Sequence, residues 1–391
     1  MMENQLIHGD NLLVLESLLP SHQGRFQCAY LDPPYNTGEK HRGNPTAGYR
    51  DNYERASWLE MMGKRLRLVR DLLSPEGSIF VQLDDNEMAA LEMAMDEVFG
   101  RDQFVSRITV AARSPSAFST VNKGVFKASE YLLWYARDRK QLRTHAVRVP
   151  RQPDKAYSLW LSNPQRPHDQ WEVQTLRSAF PAGTDLDRVR VEHASQVCRL
   201  ASISDKKAGR STVEMKAASK ANPERVFRVE RDGLEPRFLL RGQQLIFYDR
   251  QVAQVDGQLC ATRPLTNIWT DIGWEGIARE GSIVFKTGKK PERLIRRCLQ
   301  LSTRPGDAVI DPFSGSGTTA AVAHKMGRAW VAIERGPIYA SAQERLNRVV
   351  RGEDPYGITE LEGWAGGGSF TPRTHNETSA EEHAQITLVS P

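Results

Sequence analysis

The sequence contains little cysteine and no long apolar run. Its four cysteines (Cys28, Cys198, Cys260 and Cys298) lie far apart and form no C-x-x-C pair. This spacing favours reduced, mostly buried thiols over a zinc site or a disulfide framework, so we expect no metal. No stretch approaches membrane-spanning length, and residues 1 to 20 lack the basic stretch and unbroken apolar run of a secretory signal. We therefore expect a soluble, cytoplasmic protein.

A strong excess of one charge is also missing. The 391 residues carry 53 Lys and Arg against 48 Asp and Glu, a net charge of +5, which favours a polyanionic partner only weakly. The distribution says more, because residues 141 to 266 hold 21 basic against 14 acidic side chains and the remainder holds 32 against 34. The basic excess is therefore confined to one middle segment.

Short apolar runs alternate with amphipathic stretches on both sides of that segment. Residues 1 to 140 and 267 to 360 show this pattern, which is typical of an α/β domain with a parallel sheet. Residues 141 to 266 are irregular and rich in Arg, Pro and isolated aromatics, and residues 361 to 391 are rich in Gly, Ser, Thr and Glu. We predict one sheet built from both α/β portions, interrupted by a basic recognition domain and followed by a largely disordered tail.

Local patterns add two expectations. Apolar residues at helical spacing predict a helix from about Trp58 to Leu73, and Ser74-Pro75-Glu76-Gly77 ends it before the next strand. The polar run at 202–225 predicts a loop or an exposed helix.

A glycine-containing loop follows the predicted strand at 307–313. Glycines 315 and 317 allow a tight turn and a close backbone approach to a ligand, and the N-terminus of the next helix can hold a carboxylate. Glu334 ends the following strand, where an acidic side chain can accept hydrogen bonds from both hydroxyls of a ribose. These features fit a nucleoside ligand, although a glycine-rich structural turn is the alternative for the loop taken alone.

The loop is not shaped for phosphate. It lacks the third glycine of G-x-G-x-x-G and the Gly-Lys-Ser/Thr that grips triphosphates. S-adenosylmethionine has a ribose and a zwitterionic amino-acid end, so it suits one acidic residue, one helix N-terminus and no lysine. We therefore predict S-adenosylmethionine as the cofactor.

The tetrapeptide Asp32-Pro33-Pro34-Tyr35 follows the apolar run FQCAYL, so it lies at the carboxyl end of a strand, where open α/β sheets bind ligands. The two prolines fix the backbone and remove two donors, which we expect to leave outward-facing carbonyls without partners. An amino group that donates to both the Asp32 carboxylate and the Pro33 carbonyl becomes more nucleophilic. Tyr35 adds a ring face for base stacking. An ordinary proline-rich turn is the alternative, and the companion glycine loop disfavours it.

These motifs resemble those of a known family. Asp32 to Tyr35 come first, the basic segment second and Phe313 to Gly317 last. This is the order of the permuted (beta) group of DNA amino-methyltransferases, which includes the modification (Mod) subunits of type III restriction-modification systems. Further matches are Gly9-Asp10-Asn11, GSIFVQLDDNE at 77–87, SEYLLWYAR at 129–137, the run at 285–319 and GGGSF at 366–370.

The resemblance implies a class I S-adenosylmethionine-dependent methyltransferase fold. This is a Rossmann-like α/β sheet of seven strands with one antiparallel edge strand, here circularly permuted and carrying an inserted target-recognition domain. It implies a site-specific DNA methyltransferase that acts on N6 of an adenine swung out of the double helix.

The resemblance also implies roles for individual residues. Asp10 would face the cofactor's adenine, Glu334 its ribose and the loop from Asp311 to Thr318 its methionine end, with Lys286 to Glu292 beside the same pocket. The predicted cofactor-binding residues are Asp10, Lys286, Asp311, Phe313, Gly315, Gly317, Thr318 and Glu334. The predicted catalytic residues are Asp32, Pro33, Pro34 and Tyr35. For DNA phosphate contacts the basic segment offers Arg143, Arg148, Arg151, Lys206, Lys207 and Arg210, each of which can also be a solvated surface charge.

Other acceptors and partners stay open at this point. Aspartate at the first position of the tetrapeptide favours adenine, because N4-cytosine enzymes of this class more often carry Ser there. Cytosine N4, RNA and protein remain alternative acceptors, and the intact tetrapeptide disfavours a non-catalytic subunit. The expected partners are double-stranded DNA, a second copy of the chain and a cognate restriction subunit. The chain is short for a type III Mod subunit, which is consistent with its acting alone.

Overall fold

A computed structural model describes residues 2–37, 51–113, 125–283 and 289–375. The chain divides into two compact units, one formed by residues 1–147 with 266–391 and one by residues 148–265. The second unit falls inside the predicted recognition domain at 141–266. Lys286 and the part of the predicted tail beyond residue 375 lie outside the described residues. Within the described ranges, no helix combines the length and apolar character needed to cross a bilayer.

The first unit alternates strands and helices, whereas the second is built mainly from short strands. In chain order the strands are β1 (Gln5–His8), β2 (Phe26–Leu31), β3 (Leu73–Leu83), β4 (Phe104–Ala111), β5 (Ser129–Ala136), β6 (Arg148–Pro150), β7 (Leu159–Leu161), β8 (Val173–Thr175), β9 (Val197–Ala201), β10 (Phe227–Arg231), β11 (Leu234–Leu240), β12 (Gln243–Phe247), β13 (Val252–Val255), β14 (Gln258–Pro264), β15 (Ile268–Trp269), β16 (Ala308–Asp311), β17 (Ala329–Glu334) and β18 (Thr371–Thr374). The helices are α1 (Asn11–His22), α2 (Arg55–Leu72), α3 (Met88–Phe99), α4 (Leu176–Ala179), α5 (Leu186–Glu192), α6 (Arg210–Ala221), α7 (Glu292–Ser302), α8 (Thr318–Lys325) and α9 (Tyr339–Arg351).

One nine-stranded sheet organises the first unit, in the order β15-β4-β5-β3-β2-β16-β17-β1-β18. The central strands β2 and β16 are buried along their whole length, because both faces of a parallel sheet are covered. Helices α1, α2 and α3 pack side by side, and α7, α8 and α9 form a second such group. The predicted single sheet from both halves of the chain is confirmed.

The sheet corrects two details that the resemblance implied. The antiparallel strand is β5, which lies inside the sheet and pairs with both β3 and β4. The sheet has nine strands instead of seven, because β15 adds to β4 at one edge and β18 adds to β1 at the other. Strand β18 falls in the tail that was predicted to be disordered, so that prediction is wrong for residues 371–374.

The end of α2 also differs from the prediction. The helix runs from Arg55 to Leu72, close to the predicted 58–73, but no turn follows it. Strand β3 begins at Leu73 and includes the Ser74-Pro75-Glu76-Gly77 stretch. The proline and glycine are tolerated near the start of the strand, where few ladder hydrogen bonds depend on them.

The second unit is less irregular than its sequence predicted. It contains a six-stranded sheet, β10-β11-β12-β9-β7-β8, and a three-stranded sheet, β13-β14-β6, with antiparallel pairing throughout. These strands are short, and some, such as β12, carry polar and apolar residues on both faces, so the hydrophobic period is weak. The prediction of a loop or exposed helix at 202–225 is confirmed by α6, where only Thr212 and Ser219 are buried.

A buried ionic cluster joins α7, α8 and α9. Glu292 at the start of α7 accepts hydrogen bonds from Lys325 Nζ at 2.9 Å, from Arg345 Nη2 at 2.7 Å and from the Ile358 amide at 3.0 Å. Lys325 also pairs with Asp354 at 2.7 Å. All four charged side chains have no solvent exposure. Each charge is therefore stabilised by an opposite charge in the cluster and by neighbouring hydrogen bonds, because water does not reach it.

We predict that Lys325→Met destabilises the protein by about 3–5 kcal/mol, because it leaves the buried Asp354 carboxylate without its cation and Glu292 with one cation instead of two. Urea unfolding of the variant measures the loss. Lys64→Met is the matched control, since Lys64 forms an exposed pair with Glu60, and it should leave the free energy of unfolding nearly unchanged. Equal, small losses in both variants would contradict the assigned role of the cluster.

Candidate active site

The Asp32-Pro33-Pro34-Tyr35 turn begins directly after β2, as the sequence predicted. The Pro34 carbonyl accepts a hydrogen bond from Trp58 Nε1 on α2 at 2.8 Å, so the expectation that both proline carbonyls lack partners is wrong for Pro34. No donor among the described residues reaches the Pro33 carbonyl. The turn therefore presents one anchored carbonyl and one available acceptor.

Asn36 holds the far side of this turn in place. It adopts a left-handed backbone conformation, with φ of 56°. Its amide N–H donates to Asp51 at 2.7 Å, and its side chain donates to Glu87 at 2.8 Å and accepts from the Tyr53 amide at 2.7 Å. Asn tolerates this conformation better than other side chains, because its short polar group can bond locally.

A compact charged cluster lies against the turn. Lys290 Nζ is 3.3 Å from Asp32 Oδ1 and 3.4 Å from Glu130 Oε2. The same ammonium lies 4.6 Å from the centroid of the Tyr35 ring, and the Tyr35 hydroxyl donates to Glu130 at 2.9 Å. Gln82 Nε2 donates to the same Glu130 oxygen at 2.6 Å.

The cluster shifts the pKa of each ionisable member. Burial raises the pKa of Asp32, and Lys290 opposes that rise. Burial would also raise the pKa of Glu130, but Lys290, Gln82 and Tyr35 outweigh it and lower that pKa. Burial tends to lower the pKa of Lys290, but Asp32 and Glu130 outweigh it and raise that pKa. The arrangement therefore favours the charged forms of Glu130 and Lys290, and Lys290 counteracts the protonation of Asp32.

Sequence reasoning did not assign these partners. Glu130 lies in the matched run at 129–137, and Lys290 lies in the stretch that was expected beside the cofactor pocket. The structure places the Lys290 ammonium beside the Asp32 carboxylate. A buried polar residue in an apolar strand, as Glu130 and Gln82 are, is the sequence signal that could have identified them.

The glycine loop leaves β16, the strand next to β2 in the sheet. Gly315 and Gly317 have φ of 52° and 76°, the conformation that glycine was predicted to permit. The Gly315 amide donates to Glu334 Oε2 at 2.8 Å, and the Gly336 amide donates to Glu334 Oε1 at 2.6 Å. Glu334 therefore ties the loop to the end of β17 while remaining at the carboxyl edge of the sheet.

Asp10 belongs to the same edge. It caps α1 by accepting from the Leu12 amide at 2.9 Å, and it pairs with Arg335 at 3.0 Å, directly after Glu334. The neighbouring Asn11 donates to the Pro312 carbonyl at 2.7 Å. Chain segments from β1, β16 and β17 thus meet where the sequence predicted a nucleoside site.

The remaining cofactor-binding predictions fall on or behind this loop. Phe313 is partly buried against the main core, and its amide donates to Asp311 Oδ1 at 2.9 Å. The Thr318 hydroxyl accepts from Arg345 at 2.8 Å, so it supports the loop from within the core. The buried Ser314 hydroxyl has no hydrogen-bond partner among the described residues. An orphaned hydroxyl beside two flexible glycines and an acidic strand end fits a polar nucleoside cofactor.

The predicted DNA-contact residues are not equally available. Arg143 lies in the first unit and pairs with Asp307 and Glu76. Arg148 donates to the Thr262 hydroxyl at 2.7 Å. Both guanidinium groups therefore already have partners within the protein.

The other candidates are nearer the surface of the second unit. Arg151 lies 3.9 Å from Asp154 and is 38% exposed. Lys206 is exposed, and Arg210 is 93% exposed beside Glu214 at the start of α6. The side chain of Lys207 lies outside the structural description.

A mainly parallel sheet with an anchored acceptor turn and a nucleoside-type loop on adjacent strands is the arrangement expected of a methyltransferase. The DNA methylase family model matches residues 26–345, and the chain belongs to this family. The membership confirms the class I methyltransferase fold and the resemblance to DNA amino-methyltransferases.

Three curated relatives illustrate the likeness. The probable type III restriction-modification enzyme HindVI Mod subunit of Haemophilus influenzae is 29% identical over 94% of this chain and 53% of its own length. The type II methyltransferase M.EcaI of Enterobacter cloacae is 26% identical over 91% and 71%, respectively. The type III StyLTI Mod subunit of Salmonella typhimurium is 24% identical over 81% and 49%. The chain thus spans about half the length of the two type III subunits.

We predict a pH-dependent stability that originates at Asp311. Burial raises the pKa of this carboxyl from 3.8 to about 7, so the folded protein binds a proton that the unfolded chain releases. The free energy of unfolding should therefore fall as pH rises from about 4 to about 7. Relative to the wild type, Asp311→Asn should gain about 4 kcal/mol between these limits, because it removes the ionisation.

Urea unfolding of both proteins across that pH range measures the difference. A constant difference at every pH would contradict the assignment to Asp311.

Proposed function

We propose that the chain transfers a methyl group from S-adenosylmethionine to N6 of an adenine in double-stranded DNA. The single observation that carries this proposal is the adjacency of β2 and β16, which pair through Cys28 with Val309 and Ala29 with Ile310. Because the strands are parallel, the acceptor turn and the glycine loop leave the same edge of the sheet. Nucleophile and methyl donor can therefore meet there.

The acceptor turn suits an exocyclic amino group. Such a group has two N–H donors, and the Asp32 carboxylate and the Pro33 carbonyl supply two acceptors on one rigid turn. Both hydrogen bonds increase the electron density on the nitrogen. After the new N–C bond forms, the nitrogen must lose one proton, and the Asp32 carboxylate already accepts that hydrogen in a hydrogen bond.

Tyr35 offers a stacking surface for the flipped base. Lys290 lies against one face of its ring, so the base would use the other face. Glu130 fixes the ring through the hydroxyl, which limits its rotation. Stacking and hydrogen bonding together would hold the base in line for transfer.

The cofactor would occupy the edge formed by Asp10, Ser314, Gly315 and Glu334. When bound, S-adenosylmethionine supplies an electrophilic methyl group on a sulfonium. The acidic side chain of Glu334 suits ribose hydroxyls, and the Ser314 hydroxyl offers an unused donor and acceptor. The roles of Lys286 and Thr318 in cofactor binding stay predictions.

The second unit is proposed to recognise the DNA sequence. Lys206 and Arg210 are its best candidates for phosphate contacts, because their exposed charges are free to reorient, whereas Arg143 and Arg148 are held by the fold. The names of the type III relatives point to a restriction-modification system, so a cognate restriction subunit remains part of this proposal. The predicted cytoplasmic location and homodimer also remain parts of it.

The proposal predicts N6-methyladenine as the product. Purified protein, tritiated S-adenosylmethionine and unmethylated DNA are incubated, and the DNA is digested to nucleosides that are separated and weighed by mass spectrometry. The Asp32→Ala variant is the control, and it should bind cofactor but lose turnover by several orders of magnitude. Label in N4-methylcytosine would move the acceptor while keeping the mechanism, and label in RNA or protein alone would refute the proposal.

A second prediction concerns the salt dependence of DNA binding. Each phosphate contact removed should reduce the slope of log K against log salt by about 1. Lys206→Ala and Arg210→Ala should therefore each flatten the slope, whereas Lys64→Ala, an exposed lysine on α2, should leave it unchanged. Fluorescence anisotropy at several salt concentrations measures the slopes, and identical slopes in all four proteins would exclude both residues as phosphate contacts.

A further inference from the structure

The ammonium of Lys290 is the only cation among the described residues within ion-pair distance of Asp32. It is 10% exposed, and it lies 3.3 Å from Asp32 Oδ1. That oxygen is buried and has no hydrogen-bond donor of ordinary geometry among the described residues. Lys290 is therefore the main group that favours the ionised form of Asp32, and the Tyr35 hydroxyl is a weaker one.

Glu130 is held very differently from Asp32. Its Oε2 atom accepts from Gln82 at 2.6 Å and from Tyr35 at 2.9 Å, in addition to its contact with Lys290. Tyr30 donates in turn to the Gln82 amide oxygen, which orients the amide toward Glu130. Two neutral donors thus stabilise the Glu130 carboxylate independently of Lys290.

This asymmetry gives the two carboxylates different functions. Glu130 is anchored by adjacent strands β3 and β5 and can hold the ammonium in place, whereas Asp32 is left with acceptor capacity toward the site. If the ammonium were removed, the two neighbouring carboxylates would favour binding one proton between them. That proton would go to the carboxylate that accepts fewer hydrogen bonds, which is Asp32.

We propose that Lys290, fixed by Glu130, is the positioning residue that keeps Asp32 ionised and oriented for the amino group of the base. The functional part of this inference rests on the proposed methyl transfer, but the ionisation does not. A protonated Asp32 would donate a hydrogen bond where it must accept one, and it could not take up the proton that the product nitrogen loses.

Other ionisable groups also face Asp32. Tyr30 on β2 and Tyr35 in the turn have pKa values raised well above the usual range by burial, so they remain neutral. Asp311 on β16 acts on Asp32 as a like charge once it ionises near pH 7. Among the described residues, removing the positive charge of Lys290 therefore leaves neutral Tyr30 and Tyr35 and the acidic Glu130 and Asp311 facing Asp32, and each negative group favours protonation.

The first experiment detects the proton directly in the free protein. Infrared difference spectra at neutral pH report the carbonyl stretch of a protonated carboxylic acid. Asp311, whose pKa is about 7, contributes such a band to every protein, so each variant spectrum is recorded as the difference from the wild type. Lys290→Met should show an additional band in this difference, and Lys290→Arg should not. The band should disappear in Lys290→Met/Asp32→Asn and persist in Lys290→Met/Glu130→Gln.

Two results would overturn the inference on ionisation. The first is the absence of the band from a folded Lys290→Met protein. The second is a band that disappears only when Glu130 is replaced, which would assign the proton to Glu130. Circular dichroism and thermal unfolding verify that each variant is folded. If Lys290→Met does not fold, the comparison of the wild type with Glu130→Gln in the next experiment still tests the inference.

The second experiment measures the single-turnover methylation rate against pH with saturating cofactor and DNA. On the acidic side of the pH profile, the rate of Lys290→Met should begin to fall at a higher pH than the wild-type rate. At a given pH on this acidic limb, the rate should be about tenfold lower for each unit by which the pKa of Asp32 rises. Lys290→Arg should restore the wild-type limb. Glu130→Gln removes a negative charge, so its limb should move downward.

Opposite displacements for the two charge changes would not arise from a general loss of packing. Rates that fall equally at every pH in both variants would refute the positioning role. An infrared band assigned to Asp32 together with no methylation of any nucleic acid would leave the ionisation intact and refute the proposed function instead.

Discussion

The pairing of β2 with β16 is the constraint on which the rest of the structure depends. These strands come from opposite ends of the chain, with the whole second unit between them, yet they lie side by side at the centre of the sheet. A parallel ladder aligns strand ends, so one register brings the acceptor turn and the glycine loop to the same edge. The other contacts at the site then fix the side chains of the turn and the loop, which this ladder has already brought together.

The sequence predicted the parts of the fold that have a strong period. Apolar runs such as FQCAYL predicted buried strands, and the glycine loop and Glu334 predicted a nucleoside site at the carboxyl edge of the sheet. Strand β18 was missed because Thr371 to Thr374 are largely exposed and polar, and such a strand forms only when β1 is available as a neighbour. The strands of the second unit were missed for a related reason, because their short runs show little alternation of polar and apolar residues.

The site divides in a similar way between local and long-range information. Asp32 to Tyr35 could be recognised because they are consecutive. Glu130 and Lys290 could not, since their relation to Asp32 exists only after β5 and the start of α7 reach β2 across the sheet. The hydrogen bond from Trp58 to Pro34 is also a tertiary contact. It pairs the Pro34 carbonyl, which local reasoning had left without a partner.

The parallel pairing of β18 with β1 has a topological consequence. Asn4, just before β1, accepts a hydrogen bond from the Thr371 amide at the start of β18, and His375 reaches the end of β1. One end of this domain therefore lies a single strand length, about 13 Å, from the other. A short linker could join residue 375 to residue 4, and the backbone could be opened in another surface loop without breaking the sheet. In a chain joined and opened in this way, the glycine loop could precede the acceptor turn in sequence while both kept their places at the same edge of the sheet.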